Sequence, residues 1–298
     1  MTQSDGIQSD ALINFMFDQL PVRGVLLQFD RSWKTVVGLH HHIPEVRDLL
    51  GQSLAATTMM ASTMKLTGML TLQLQAGAGL GMLIAQCDAQ LRYRGMSGEP
   101  ESENVSGFEG LLGGGRLSVT VEARRAQDRY QGIVPVTGRS LADTLVDYYK
   151  NSAQLDAYFA LLSDDEHAAG LMLQKMPDAN PMEADHWHRL CLMADTLTLD
   201  EMRVGVDPGL IHKLFSEDDV VVYPARSSGF HCRCTSARAE RAVRMLGETD
   251  ARALLKERDG QIDITCEFCN RHRVLDAVDV ERLFADEFSQ GVSNDQLH

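Results

Sequence analysis

The pattern of hydrophobic and polar residues over 1–177 is mainly the two-residue alternation of β-strands. In one such stretch, Val25, Leu27 and Phe29 occupy every second position. Residues 7–20 are instead predicted to form a short helix that ends at Pro21. The alternation predicts strands over 22–30, 33–39, 69–75, 82–87, 117–121, 130–136, 154–162 and 168–176.

Two longer helices are predicted to interrupt these strands. The first covers 44–66 and carries an apolar stripe along one face. The second begins at Ser140, with Asp143 three residues later as in a capping box. Its buried stripe is predicted to consist of Leu141, Leu145, Tyr148 and Tyr149. Strands punctuated by two helices, without a βαβ repeat, predict an α+β fold with a mixed α/β core domain over 1–177.

Residues 178–229 differ from the core domain in composition, with 10 acidic residues against 4 basic ones. One helix is predicted over 182–197, and another begins with Asp207 as N-cap and Pro208 at its first position. Apolar side chains are predicted to pack these helices onto the core domain: Trp187, Leu190, Leu197, Leu210 and Phe215. The segment is therefore predicted to be a helical linker that docks weakly.

Residues 230–298 are predicted to form a small C-terminal domain. Ser236 and Thr249 are predicted to cap two helices, and Ile262 and Ile264 alternate as in a strand. The apolar residues of a final helix are Val280, Leu283 and Phe284. So small a domain buries little apolar surface, and a bound metal would supply the missing stability.

Four of the six cysteines lie in this domain as two close pairs, separated by 31 residues. A tetrahedral zinc ion takes four thiolates at about 2.3 Å, and two short chelating segments supply them at modest entropic cost. The spacing predicts one Zn²⁺ per chain in the reduced protein, bound by Cys232, Cys234, Cys266 and Cys269. This set is complete, so it leaves no position for the neighbouring His231 and His272.

The C-x-C pair is unusual, because structural zinc sites mostly use C-x-x-C or wider spacings. One intervening residue makes a tight chelate, and a disulfide within it would close a short, strained ring. Strained or exposed disulfides are the labile and regulatory ones. The site is therefore predicted to be structural when reduced and to respond to oxidants.

The chain carries a net charge of −14, which disfavours general binding to nucleic acid. Four arginines beside the first cysteine pair are predicted to form a solvated helix face: Arg233, Arg238, Arg241 and Arg244. No Lys or Arg precedes Arg23 and no apolar run follows the start, so a secretory signal is not expected. Reduced, clustered thiols then predict a cytoplasmic location. The longest uncharged run, 66–87, alternates as strands do, so no membrane span is predicted.

Other short motifs do not indicate chemistry. The three histidines at 40–42 are predicted to form an exposed turn, because no further ligand lies nearby in the sequence. The glycines at 77, 79 and 81 are predicted to form a hairpin turn, since they do not open a helix as a dinucleotide-binding loop does. The chain has neither a phosphate-binding P-loop nor a G-x-S-x-G motif, and no enzyme activity is predicted.

Short segments spread over nearly the whole chain are typical of one family: V-R-G at 22–24, H-I-P at 42–44, Y-Q-G at 130–132, S-L-A at 140–142 and G-L-M-L-Q at 170–174. The most specific part is Cys232-x-Cys234 followed by I-x-I-T-C-E-F-C-N at 262–270. In these segments the chain resembles the heat-shock protein 33 family, the bacterial 33 kDa chaperonins. It departs from the family at 272–274, where an aromatic-containing stretch is common.

The resemblance implies an ATP-independent holdase chaperone that is inactive as a reduced, zinc-bound monomer. Peroxide with heat, or hypochlorous acid, would form the disulfides Cys232–Cys234 and Cys266–Cys269 and release the zinc. The C-terminal domain and then the linker would unfold, and the protein would dimerise and bind unfolded or oxidatively damaged client proteins. Neither a specific nucleic acid nor a membrane is an expected partner.

The residues by themselves leave two other functions open. The arginine cluster would fit a zinc-ribbon nucleic-acid adaptor, which a salt-sensitive shift of RNA or DNA would reveal. Cys266 and Cys269 form the C-x-x-C motif of thiol oxidoreductases, although that motif usually opens a helix beside a βαβ unit. Cys87 and Cys191 lie outside the cysteine motif and are predicted to be ordinary buried thiols.

Overall fold

The computed structural model describes residues 8–76, 79–100, 106–123, 129–177 and 184–291, and of residues 286–291 the backbone alone. The chain divides into two units, Met1–His231 and Cys232–His298. In the described residues the larger unit holds two six-stranded sheets, and the smaller unit holds a two-stranded hairpin. The predicted limits of the linker, 178 and 229, stay a prediction.

The strands are, in chain order, β1 (Ala11–Phe17), β2 (Val22–Phe29), β3 (Met69–Gln75), β4 (Met82–Asp88), β5 (Arg92–Ser97), β6 (Arg116–Glu122), β7 (Arg129–Pro135), β8 (Ala157–Ser163), β9 (Ala168–Lys175), β10 (Val220–Val222), β11 (Arg226–Ser227), β12 (Gly229–Phe230), β13 (Gln261–Thr265) and β14 (His272–Asp276). The helices are α1 (Arg31–Val37), α2 (Pro44–Thr63), α3 (Gly107–Leu112), α4 (Leu141–Tyr148), α5 (Ala184–Ala194), α6 (Leu199–Arg203), α7 (Pro208–Leu214), α8 (Ser236–Leu246), α9 (Glu248–Glu257) and α10 (Ala277–Gly291). A π-helical turn, Tyr149–Ala153, follows α4 directly.

The two large sheets are almost entirely antiparallel. The first has the strand order β10-β1-β2-β9-β8, with β11 also paired to β1. The second has the order β12-β5-β4-β3-β6-β7, in which only β12 and β5 run parallel. Antiparallel sheets with separate helices confirm the predicted α+β class.

The uncharged run 66–87 forms a hairpin. Strand β3 pairs with β4 in antiparallel register, from Gln75 opposite Met82 to Met69 opposite Asp88. The hairpin predicted around the glycine run is therefore confirmed, although Gly77 and Ala78 lie outside the described residues. No helix in the described part of the chain has the length and apolar character needed to cross a bilayer.

Helix α2 lies between the two large sheets and contacts strands of both, including β9 of the first and β4 of the second. Every residue from Ser53 to Ala61 is buried, so the helix is covered on all sides and the predicted single stripe is too narrow. The buried Ser53 and Thr57 hydroxyls donate to carbonyls one turn earlier, at 2.7 and 2.6 Å. Local bonds of this kind allow hydroxyl side chains inside an apolar core.

The other face of the first sheet is covered by the segment predicted as the linker. Buried residues of β1, β2 and β9 share a core with apolar residues of 190–215. Leu190, Leu197 and Phe215 are buried there, and Trp187 and Leu210 pack at its edge. The Arg189 guanidinium also pairs with the Asp218 carboxylate through two bonds of 2.9 and 2.6 Å. The prediction that these apolar residues pack on the core domain is confirmed, while Met182, predicted to begin their first helix, lies outside the described residues.

The helix predicted over 7–20 is wrong, because residues 11–17 form strand β1. Leu12 faces the α2 core, whereas Ile13 and Phe15 face the core on the linker side. A strand that is buried on both faces reads as a continuous apolar run, without the alternation that identifies a strand in a sequence.

The strand predicted over 33–39 is also wrong, because residues 31–37 form helix α1. The β-branched Thr35, Val36 and Val37 favour a strand locally. The Asp10 carboxylate, however, accepts hydrogen bonds from the backbone N–H groups of Asp30 and Ser32 at 3.0 and 3.2 Å. A distant side chain thus satisfies the donors at the start of the helix.

Replacing Ser140 with alanine is expected to lower the free energy of unfolding by about 1 kcal/mol, because the N-cap bond of α4 is lost. The Ser140 hydroxyl accepts from the Asp143 N–H at 3.1 Å, as predicted from the sequence. Urea unfolding followed by circular dichroism measures the change. Ser140→Thr keeps the capping oxygen and should stay close to wild type; equal stability of the alanine variant would contradict the capping role.

The small unit surrounds a short core of its own. Helices α8, α9 and α10 pack with the β13–β14 hairpin. The buried apolar residues are Val243, Ala251, Leu255, Ile262, Leu275, Val280, Leu283 and Phe284. Both predicted caps are wrong by one or two residues: Thr235 caps α8 by accepting from the Arg238 N–H at 3.3 Å, and α9 begins at Glu248 after Gly247.

Candidate metal centre

Two short segments supply the four cysteines. Cys232 and Cys234 lie in the irregular segment between β12 and α8, where Thr235 fixes the start of the helix. Cys266 and Cys269 lie in the turn between β13 and β14. The second pair therefore occupies a hairpin, as predicted, and does not open a helix as in a thiol oxidoreductase.

The hairpin turn is fixed by its backbone. The Cys269 and Asn270 N–H groups both donate to the Cys266 carbonyl, at 3.2 and 2.7 Å, and the Cys266 N–H donates to the Arg271 carbonyl at 3.1 Å. Asn270 has φ +51°, in the left-handed region that asparagine tolerates better than most residues. The sequence analysis did not use this signal: an asparagine directly after C-x-x-C favours such a turn.

The four sulfur atoms lie together. The Sγ atoms of Cys232 and Cys266 are 3.6 Å apart, those of Cys234 and Cys269 are 3.3 Å apart, and all four lie within 4.8 Å of one another. Four sulfurs at about 2.3 Å from a tetrahedral ion would be about 3.8 Å apart. The donor set and its spacing therefore fit a metal ion, and these four cysteines could hold one.

The thiols influence one another's ionisation. Burial raises the pKa of Cys232 and of Cys269, the latter to about 12, and contact with the Cys234 thiol raises it further. Burial opposes ionisation of Cys234 as well, but hydrogen bonds from the other three thiols lower its pKa. Thiolates this close repel one another, and a cation removes that repulsion. Metal binding at these residues therefore releases protons and strengthens as pH rises.

Other nearby side chains stay outside the cluster. His231 and His272 are exposed, and the His272 Nδ1 atom lies 3.1 Å from the Thr265 hydroxyl. The arginines at 233, 238, 241 and 244 are all exposed, which agrees with the solvated face predicted for them. Cys87 is fully buried, as predicted, whereas Cys191 is only half-buried.

Cys87 and Cys191 are expected to resist alkylation by iodoacetamide in the folded protein at pH 8. Burial raises their pKa values to about 12 and about 11, so about one Cys191 thiol in a thousand or fewer is ionised at that pH. Peptide mass spectrometry measures the modification, and urea-unfolded protein should be alkylated at all six cysteines. Modification of folded Cys191 as fast as a free thiol would contradict this prediction.

The fold and the cluster define the class as a two-unit α+β protein that can hold a metal ion on four thiolates. A family model described as "Hsp33 protein" matches residues 10–276. The "33 kDa chaperonin" of Nitrosococcus oceani is 35% identical over 285 residues, covering 96% of this chain and 98% of that relative. The protein of the same name in Pseudomonas aeruginosa is 36% identical over 293 residues, with coverage of 96% and 98%.

A solved structure shares the fold. The crystal structure of the 33 kDa chaperonin (heat shock protein 33 homolog) from Thermotoga maritima matches with a TM-score of 0.81 at 19% identity, over 94% of this chain and 99% of that chain. The chain belongs to the Hsp33 family of chaperones, as its resemblance in sequence predicted.

Proposed function

We propose that this protein is an ATP-independent holdase chaperone whose activity is controlled by oxidation of Cys232, Cys234, Cys266 and Cys269. The observation that carries the proposal is the cluster of four free thiols within 4.8 Å of one another in the small unit of a family chaperone. The reduced protein would be an inactive monomer. The oxidised protein would be an active homodimer, and no enzyme activity is proposed.

The proposed ion is Zn²⁺, one per chain in the reduced state. Four thiolates at tetrahedral spacing favour zinc over the cations that prefer oxygen ligands. A zinc ion held by four thiolates is structural and redox-inert, so it would supply folding energy to a unit whose buried core is small. The sulfur atoms would therefore be the oxidant sensor.

Oxidation would convert the four thiols into the disulfides Cys232–Cys234 and Cys266–Cys269. Each disulfide forms as two thiols lose two protons and two electrons, which one hydrogen peroxide takes up to become two water molecules. The two sulfur pairs of 3.6 and 3.3 Å join the motifs rather than lie within them. Pairing within each motif is supported by the chain itself, because one or two intervening residues keep these sulfurs close once the small unit loosens.

Oxidised cysteines would no longer donate thiolates, so the small unit would lose the ion and unfold. The linker segment would then leave the first sheet, where Leu190 and Phe215 now cover Ile13 and Phe15. The uncovered apolar surface would bind unfolded or oxidatively damaged client proteins. Six free cysteines are typical of a reducing compartment, which supports a cytoplasmic location without a nucleic-acid or membrane partner.

Suppression of the aggregation of a heat-unfolded client, measured without ATP, tests this function. Protein treated with peroxide at raised temperature is expected to suppress aggregation, and reduced protein is not. A Cys87→Ser/Cys191→Ser variant should behave as wild type, and mass spectrometry should find both disulfides within the motifs. Equal protection by reduced and oxidised protein would contradict redox control, while a salt-sensitive shift of RNA would favour the adaptor function instead.

A further inference from the structure

The three histidines between α1 and α2 are not the exposed turn that the sequence predicted. His41 is exposed, but His40 and His42 are half-buried. Their rings face each other, with centroids 5.5 Å apart and planes 21° apart. Alternating burial of this kind is typical of extended chain, in which residues i and i+2 point to the same side. The structure therefore makes His40 and His42 a pair.

The paired rings line a cavity of about 300 Å³. Trp33, Val36 and Leu50 form part of its apolar wall. Among the described residues, no hydrogen-bond partner reaches the His40 Nε2 atom or either ring nitrogen of His42, although all three atoms are buried. Burying a polar nitrogen without a partner costs about 1–3 kcal/mol, so three such atoms in two facing rings indicate a ligand that they share.

The charges around the pair favour neutral imidazole. Burial lowers the pKa of His42, His40 lowers it further, and the Glu99 carboxylate opposes the shift. The Arg47 guanidinium at the cavity wall is paired with the Asp48 carboxylate at 2.8 Å. A neutral imidazole keeps a nitrogen lone pair, which is the form that binds a metal ion.

We propose that His40 and His42 bind one divalent first-row transition-metal ion, at a site separate from the four cysteines. Imidazole nitrogen is a suitable ligand for nickel, copper and zinc ions. Two protein ligands leave the remaining coordination positions to water, for which the cavity has room. Bound metal would fix the connection between α1 and α2, and binding to the folded state alone would stabilise that state.

Equilibrium dialysis of the full-length, reduced protein without an affinity tag tests the site. The protein is first loaded with one equivalent of Zn²⁺ and then dialysed against Ni²⁺, and both metals are measured by atomic emission. We expect one nickel per chain with zinc retained. His40→Gln and His42→Gln should each lose the nickel, whereas His41→Gln should keep it.

The chain contains a matched control in His186 and His188, which have the same spacing but are exposed on helix α5. Neighbours two apart on a helix do not face each other, so a His186→Gln/His188→Gln variant should bind nickel as wild type does. Circular dichroism checks that each variant is folded. In wild type, nickel should also broaden the ring proton NMR signals of two histidines. Absence of bound nickel, nickel that persists in a His40→Gln/His42→Gln variant, or nickel bound only as zinc is lost would each overturn the proposal.

Discussion

Replacing Cys266 and Cys269 together with serine is expected to unfold the small unit and leave the larger unit folded. Structural zinc contributes about 10–16 kcal/mol in small peptides, which is as large as the roughly 5–15 kcal/mol that holds a whole domain folded. Eight buried apolar residues form the core of this unit in the part of the chain that the structure describes. Without half of its thiolates, the site would hold the ion too weakly to keep the unit folded.

Hydrogen exchange followed by mass spectrometry measures this effect segment by segment. Backbone amides of β13, β14 and α8 should lose their protection, while those of β2 and β9 should keep it. A strong zinc chelator added to reduced wild type should give the same pattern, and Cys87→Ser should give neither change. Protection in β13 and β14 that survives the double substitution would show that the unit folds without metal.

Leu54→Ala in the middle of α2 is expected to lower the free energy of unfolding of the larger unit by about 2–5 kcal/mol. Leu54 is 0% exposed and belongs to the core between the two large sheets. Because both sheets pack against the helix, the surrounding side chains have little freedom to fill the space left by the removed methyl groups.

Urea unfolding measured by far-ultraviolet circular dichroism gives the size of this loss. Leu192→Ala removes the same atoms from a side chain that is 53% exposed, and it should change stability by less than about 0.5 kcal/mol. Similar losses in the two variants would mean that α2 is not the packed centre of the unit.

Local signals in the sequence were sufficient for most of the second sheet. Strands β3 and β4 alternate between buried and partly exposed residues, so their pattern could be read without a tertiary model. Strand β1 and helix α1 could not be predicted in this way. The first is covered on both faces, and the second begins where Asp10, far away in the sequence, caps it.

The candidate site shows the same division. Two cysteine pairs with metal-ligand spacing identified the four thiols, because ligand type and spacing are properties of the sequence. The facing of His40 and His42 was not predictable, since it depends on where α1 and α2 leave the chain between them. The parallel pairing of β12 with β5, which places the chain just before Cys232 in the second sheet, also joins segments that are distant in the sequence.

The central claim is that oxidation of the four cysteines ends metal binding and produces chaperone activity together. Its most direct test follows zinc release and client protection in one time course, with peroxide at raised temperature, a chromogenic chelator and no ATP. The account predicts that about one zinc per chain leaves as aggregation suppression appears, and that a thiol reductant with added zinc reverses both. Complete zinc release without any client protection would contradict it, and the metal would then be a structural ion alone.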